Sequence, residues 1–432
     1  MKKGFLLFFT ICISLPLSIT LPAESQEAQH LSERDYHEYI LYLTDLGEKK
    51  LMDFIIDEMQ NFLSLFPEGH FAEDVQFKMG VLYEKLDKPL EACCAYLKAL
   101  HLYPGSPRKT EIIEDLGRLC EKRGPQRNFK DILPELVRFP ENEQTPEKRF
   151  EYYLLLLGRL NGMIENDSLV LWHIRECREF LRKYPESRAC PGILMRLSSL
   201  YERQKMYQEA FFSLMRIRYL YPDAPVLPEA LLKMGKVSLE YFDRPNRAID
   251  FFTRVTVNYP KSTAAAEAML LLARVYAEEK KAFDKAIASY DNLVADFPDS
   301  PLAVESLYEK ALLLMEKVKN YPEALNVYLQ LQSSYPEHPK AKVSLVNGAE
   351  LAEEKMGDMK TAVRLYRMLA SKYAEDPSAS DWLCHAAILA EEQLVDVSLA
   401  TALYGEVLDK YPDSRAASKA KKRLEKLTGS NK

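Results

Sequence analysis

Three residue marks recur every 38 residues through the C-terminal half of this chain, without drift. The first is an aromatic followed by proline, at Pro222, Pro260, Pro298, Pro336 and Pro412, with Tyr373-Ala374 in the one vacant slot. The second is an alanine twelve residues earlier: Ala210, Ala248, Ala286, Ala324, Ala362 and Ala400. The third is a small residue thirteen later: Gly235, Ala273, Ala311, Ala349 and Ala387. A period of this size implies a stack of supersecondary units, each burying its apolar face on its neighbours. Such stacks act mainly as extended binding surfaces.

The marks have a helical explanation. Behind each Tyr-Pro lies a slot rich in capping residues (Ser106, Ser187, Ser262, Ser300, Asp376, Ser414), often with a proline directly after it, as at Pro107, Pro225, Pro301, Pro339 and Pro377. Serine or aspartate at an N-cap takes up an orphan amide, and proline at the first helical position loses no hydrogen bond. A helix is therefore predicted to start there. The aromatic before the first proline is forced out of helical geometry, so the preceding helix ends at that point. Each unit reads as helix A, a short loop, helix B and a Tyr-Pro turn. The small residues let the helices approach, and an aromatic eight before the turn (Tyr96, Phe252, Tyr290, Tyr328, Tyr366, Tyr404) fills the shared core.

At these positions the chain resembles the tetratricopeptide repeat family. Gly80 with Tyr83, Ala92, Tyr96, Ala99 and Pro104 stand at the family's own spacing, whereas Ala273 with Tyr276, Ala286, Tyr290 and Pro298 match with extra residues. One extra residue lies between the small residue and the alanine, and three follow the proline. The lengthened turn, of Tyr-Pro-Asp-Ser-Pro type, is similar to that of exported repeat proteins of bacterial envelopes, such as the helical lipoprotein of the outer-membrane barrel assembly machinery and the repeat protein of the Tol-Pal system. The resemblance implies an all-α, right-handed superhelical solenoid of about ten helix-turn-helix units with a period of 36 to 38 residues. It also implies a role in binding envelope proteins on a concave surface, in outer-membrane assembly or envelope maintenance. An accessory module of a peptidoglycan enzyme complex is the alternative.

Turns at Pro67, Pro104, Pro140, Pro185, Pro222, Pro260, Pro298, Pro336, Ala374 and Pro412 organise the chain. Residues 24–140 read as an N-terminal block, 141–166 as an irregular hinge with the start of the next helix pair, 167–412 as a regular block, and 413–432 as a capping helix and tail. The first pair begins near Ser32, and Pro134 is expected to interrupt the helix B that precedes the Pro140 turn. On the last helix Lys419, Lys421, Lys422, Arg423 and Lys426 suit a polar cap near a helix C-terminus.

Residues 1–23 read as a secretory signal: Lys2 and Lys3 lead an apolar stretch from Gly4 to Leu21, with Ala23 as cleavage residue. Phe9-Thr10-Ile11 before Cys12 lacks the small residue a lipid-attachment site requires, so the expectation is a periplasmic protein, peripheral to the outer membrane, starting near Glu24, with an uncleaved N-terminal anchor as the alternative. No later segment is apolar enough to span a bilayer. Cleavage removes two lysines and no acid, taking the net charge from -6 to -8 and making nucleic acid an unsuitable partner. Cys177 and Cys190 read either as a bridge or as buried thiols, the latter favoured.

Chemistry finds little material. Seven histidines (His30, His37, His70, His101, His173, His338, His385) are scattered over different units, with no HExxH or paired CxxC spacing and no Gly-rich phosphate loop. Cys384 and His385 are adjacent on a helix, so their side chains diverge. No catalytic residue, metal site or cofactor is expected; the reading is a non-enzymatic scaffold. Ala286→Phe is expected to overpack its pair, with substitutions at Lys281 indifferent by comparison.

Overall fold

A computed structural model describes residues 32–123, 129–138 and 145–429. The signal reading at 1–23 lies outside the described residues, as do Pro140 and the stretch 141–144. Among the described residues the protein is helical throughout, with no strand. The chain divides into two compact units, one ending at Ile164 and the other beginning at Glu165.

The first unit holds α1 (Glu33–Asp45), α2 (Met52–Leu65), α3 (Ala72–Lys85), α4 (Pro89–Leu102), α5 (Lys109–Arg123), α6 (Phe129–Leu136) and α7 (Pro146–Met163). The second holds α8 (Asp167–Lys183), α9 (Cys190–Arg203), α10 (Tyr207–Leu220), α11 (Leu227–Glu240), α12 (Pro245–Asn258), α13 (Thr263–Glu278) and α14 (Phe283–Asp296). It continues with α15 (Pro301–Leu313), α16 (Tyr321–Ser334), α17 (Pro339–Glu350), α18 (Met359–Lys372), α19 (Ala379–Glu392), α20 (Val397–Lys410) and α21 (Arg415–Gly429). Odd-numbered helices are helix A and even-numbered ones helix B. In the second unit A helices also pack on the A helix of the next pair, α11 on α13, α13 on α15, α15 on α17 and α19 on α21. The A row is therefore the more closely spaced side of this unit.

Helix B ends where the aromatic-proline rule requires. Tyr221, Tyr259, Phe297, Tyr335 and Tyr411 all leave helical geometry with φ between -136° and -131°. Tyr373, followed by Ala374, does the same at φ -118°, ψ 50°. The turn thus forms without its proline. Elsewhere a ladder joins successive turns: Tyr103, Tyr221 and Tyr335 hydroxyls donate to the carbonyls of Pro67, Pro185 and Pro298, at 3.3, 2.9 and 2.7 Å, whereas the Tyr373 hydroxyl is buried without a hydrogen-bond partner.

The starts of helix A are more varied than the capping slot suggests. Ser300 and Ser414 cap as expected, accepting from Leu302 and Ala417 amides at 3.2 and 3.0 Å, and Pro301 and Pro339 sit in the first turn. Ser32 likewise caps α1 through the Asp35 amide. Ser106, Ser187 and Asp376 instead accept from the amide two residues on, and α5, α9 and α19 begin three residues after them. Pro107, Pro225 and Pro377 consequently lie in a lead-in turn rather than in the helix. A short side chain satisfied by its own turn no longer caps the following helix. Ser262 precedes α13 but donates to Tyr259. Pro134 lies inside the last turn of α6 and does not break it.

The extra residue between the small residue and the alanine goes into the A–B loop. Where the spacing is twelve, the loop closes by a bond to the carbonyl five residues back: Lys88 N–H to Tyr83, Met206 N–H to Tyr201. Where it is thirteen, the closure reaches six back, as from Ala282 to Tyr276 and Asp396 to Ala390. In two units the insertion also widens the end of helix A into a π-turn, at Leu314–Val318 and Leu351–Lys355. Every A–B loop from α3 to α20 outside the α5–α8 stretch carries a left-handed residue five before the helix-B alanine: Asp87, Lys205, Asp243, Lys281, Lys319, Gly357 and Val395.

Lys281 is therefore not an indifferent surface position. At φ 49° its backbone restricts what can replace it. Val395 is the most strained of the set, a β-branched residue at φ 53° that is 76% exposed. A left-handed L-residue costs about 1–2 kcal/mol, part of which glycine returns as unfolded-chain entropy. Val395→Gly should therefore stabilise the second unit by about 0.5–1 kcal/mol in urea denaturation. No gain would show that the Val395 backbone is relaxed.

Candidate functional site

The small marks lie in the core. Ala248, Ala286, Ala324, Ala362 and Ala400 on helix B, and Ala273, Ala311, Ala349 and Ala387 on helix A, are all 0% exposed. Gly235 shows what the helix-A slot is for: a Cβ there would lie 2.3 Å from Phe252 Cε1. Gly80 similarly seats Tyr96. The slot holds the helix-B aromatic. Pro222, Pro260, Pro298, Pro336 and Pro412 are exposed turn residues. These are packing and turn positions, and none lines the groove described below.

The aromatic series carries a polar device that the repeat pattern did not disclose. Tyr96 donates to Glu84 at 2.7 Å, Tyr366 to Glu353 at 3.0 Å and Tyr404 to Glu391 at 2.6 Å. Each glutamate stands four residues after the small slot, at Gly80, Ala349 and Ala387, which is its sequence signal. A cation or histidine on the next helix A meets the same carboxylate: Arg118 at 2.9 Å, His385 at 2.8 Å and Arg423 at 3.0 Å. Burial, then the adjacent glutamate, pushes the phenol groups upward. For Glu391 burial acts upward, but Tyr404 and Arg423 together hold it below its ordinary value.

Tyr328 breaks the pattern, because Met315 stands where the glutamate would be. Its hydroxyl is buried without a hydrogen-bond partner, and the nearby Asn347 amide donates to Tyr308 instead. A buried unsatisfied hydroxyl costs about 1–3 kcal/mol, whereas a made hydrogen bond to a charged group contributes about 1.5–3 kcal/mol. Tyr328→Phe should leave stability unchanged or raise it by about 1 kcal/mol, and Tyr404→Phe should lower it by about 1–2 kcal/mol. Equal melting shifts for the two would contradict this assignment.

A groove opens on the A row at the C-terminal end of the second unit. It occupies about 930 Å3 between α19 and α21, with Glu350 of α17 and Tyr366 of α18 at one side. Trp382, Cys384 and Ile388 supply apolar surface, with His385 and Asp381 beside them. Arg415, Lys419 and Lys422 form the opposite wall. Their spacing of four and three puts them on one face of α21. The other face buries Ala416, Ala417 and Ala420. The last helix is thus both the expected cap of the stack and a wall of the groove.

Chemically reactive groupings are few. Among the described residues no cluster of His, Cys, Asp and Glu could hold a metal ion. His101 and His173 are pushed down to about 4 and about 3 by burial, which keeps both rings neutral. Cys177 and Cys190 are buried thiols rather than a disulfide bridge. Cys190 donates to the Tyr184 carbonyl at 3.1 Å, and burial pushes the Cys177 thiol up to about 12. Among the described residues no helix is long and apolar enough to cross a membrane.

The tetratricopeptide repeat model matches residues 74–106, 229–262 and 267–300. These segments cover α3 with α4, α11 with α12, and most of α13 with α14. Each of the three is similar to a tetratricopeptide repeat. The chain is similar to the solved structure of a tetratricopeptide repeat protein from Parabacteroides merdae, at 16% identity over 64% of this chain and 98% of that one, with a TM-score of 0.35. It is similar also to the C-terminal part of a repeat protein from Cytophaga hutchinsonii, at 17% identity over 63% and 98%, with a TM-score of 0.40. A third structure, YrrB, described as a tetratricopeptide repeat protein with an unusual peptide-binding site, matches at 16% identity over 50% and 97%, with a TM-score of 0.33. No curated protein sequence matches the chain.

Proposed function

We propose that this tetratricopeptide repeat protein is an exported, non-enzymatic interaction scaffold of the bacterial cell envelope, periplasmic and peripheral to the outer membrane, where it serves assembly or maintenance by binding protein partners. The observation that carries the interaction role is the groove on the A row between α19 and α21, where apolar, acidic and basic side chains converge on open space. The lysine-led apolar segment from Gly4 to Leu21 supports the address. Two measurements test the reading. N-terminal sequencing of fractionated cells should find a periplasmic chain starting near Glu24; a cytoplasmic chain retaining Met1 would remove the envelope role. A photo-crosslinking residue at Trp382 should capture an envelope protein that the same residue at the exposed Asn292 does not. Capture at neither position, or equally at both, would count against the groove.

A further inference from the structure

We propose that the groove between α19 and α21 takes an extended peptide segment whose acidic side chains face α21 and whose alternate, apolar side chains face Trp382 and Ile388. This rests on the groove being the partner site and adds the chemistry of what it holds.

Charge bookkeeping at the wall is the first argument. Arg423, on the same helix, is already held by Glu391 at 3.0 Å and Glu392 at 2.7 Å. Those two carboxylates are thereby drawn away from the groove. Arg415, Lys419 and Lys422 form no ion pair among the described residues, are exposed, and line the recess together. Three unpaired cations on one wall of a chain whose net charge is -6 form a local field of opposite sign, which attracts acidic ligands and sets their register.

The second argument is the other wall. Glu350 and Asp381 line it, and Glu350 sits among Glu353 and Glu354. A ligand acidic on all sides would be repelled there. An extended peptide places successive side chains on opposite faces, so acids at alternate positions meet α21 while the intervening residues meet Trp382 and Ile388. Shape argues against a lipid surface: the cations line a recess, whereas a bilayer is flat. Lys421, also exposed, lies outside the recess.

The test is fluorescence anisotropy of the full chain with a labelled peptide of about twelve residues alternating Glu with Phe and Leu. Saturable binding is expected, weakening as salt rises from about 0.05 to about 0.3 M. Joint Lys419→Glu and Lys422→Glu should weaken it by about tenfold or more, and Lys421→Glu by less than about twofold. Both proteins should keep the parent's helical circular dichroism and melting profile. A peptide with Lys in place of Glu should not bind, and neither should vesicles containing phosphatidylglycerol. Binding that survives the double reversal, equal binding of the Lys peptide, or competition by the vesicles would each overturn the proposal. The crosslink at Trp382 separates this failure from that of the scaffold reading. A captured partner segment without alternate acids overturns the peptide chemistry alone, whereas no capture removes the site itself.

Discussion

Phe252→Ala should destabilise the second unit by about 3–5 kcal/mol, the range for deleting a fully buried aromatic. Phe252 is 0% exposed, and its ring occupies the space that a side chain at position 235 would otherwise take. The cost should fall toward the upper end because Gly235 has no side chain with which to fill the void. In the later pairs the same slot holds alanine, at Ala273, Ala311, Ala349 and Ala387, opposite a tyrosine. The Gly235–Phe252 pair is therefore a closer approach, paid for by the missing Cβ. Stability in a repeat stack is largely a sum of each unit and its neighbours, so the loss should concentrate in hydrogen exchange of α11, α12 and α13. Gly235→Leu should overpack the parent yet restore part of the stability in Phe252→Ala, a coupling of about 1–3 kcal/mol. A loss in Phe252→Ala below about 1 kcal/mol, or additive effects of the two changes, would show that the ring does not sit in the slot.

The features legible in the sequence were those set by local sterics. Tyr-Pro at the 38-residue mark ends helix B, although Tyr321-Pro322 off that mark opens α16; alanine and glycine mark close approach, and an aromatic four residues after an alanine shares its helix face; these yield the helix pairs and their period. Other features were hidden for identifiable reasons. The left-handed loop position is usually betrayed by glycine, yet here it holds Asp87, Lys205, Asp243, Lys281, Lys319 and Val395, with only Gly357 showing the expected type. Ser106, Ser187 and Asp376 have the composition of caps but spend their oxygens on their own turns. The basic string on α21 was visible as a string. Its division into Arg423, tied to α19, and Lys419 and Lys422, facing open space beside Arg415, which the string did not include, depends on Glu391 and Glu392 lying on the neighbouring A helix, which no linear pattern conveys.

Ala286→Phe should cost about 1–3 kcal/mol by overpacking, and more if the helices must separate. Ala286 is 0% exposed in a cluster with Met269, Leu270, Ala273, Tyr290 and Leu293. A ring there has two ways out, displacing Tyr290 along its own helix or pushing α14 away from α13. The first exposes a phenol whose hydroxyl donates to Glu309 at 3.0 Å, and so also disturbs Arg274, which shares that carboxylate. The second loosens the most buried seam of the pair. Either way exchange should accelerate in α13, α14 and α15 together, because Glu309 belongs to α15 and transmits the displacement to the next unit. The reference substitution belongs at Asn292, exposed on α14 with ordinary helical geometry, rather than at the left-handed Lys281. Asn292→Ala should change stability by no more than about 0.5 kcal/mol. If Ala286→Phe and Asn292→Ala unfold at the same urea concentration, Ala286 does not face the seam, and the register of the entire 38-residue repeat would have to be redrawn.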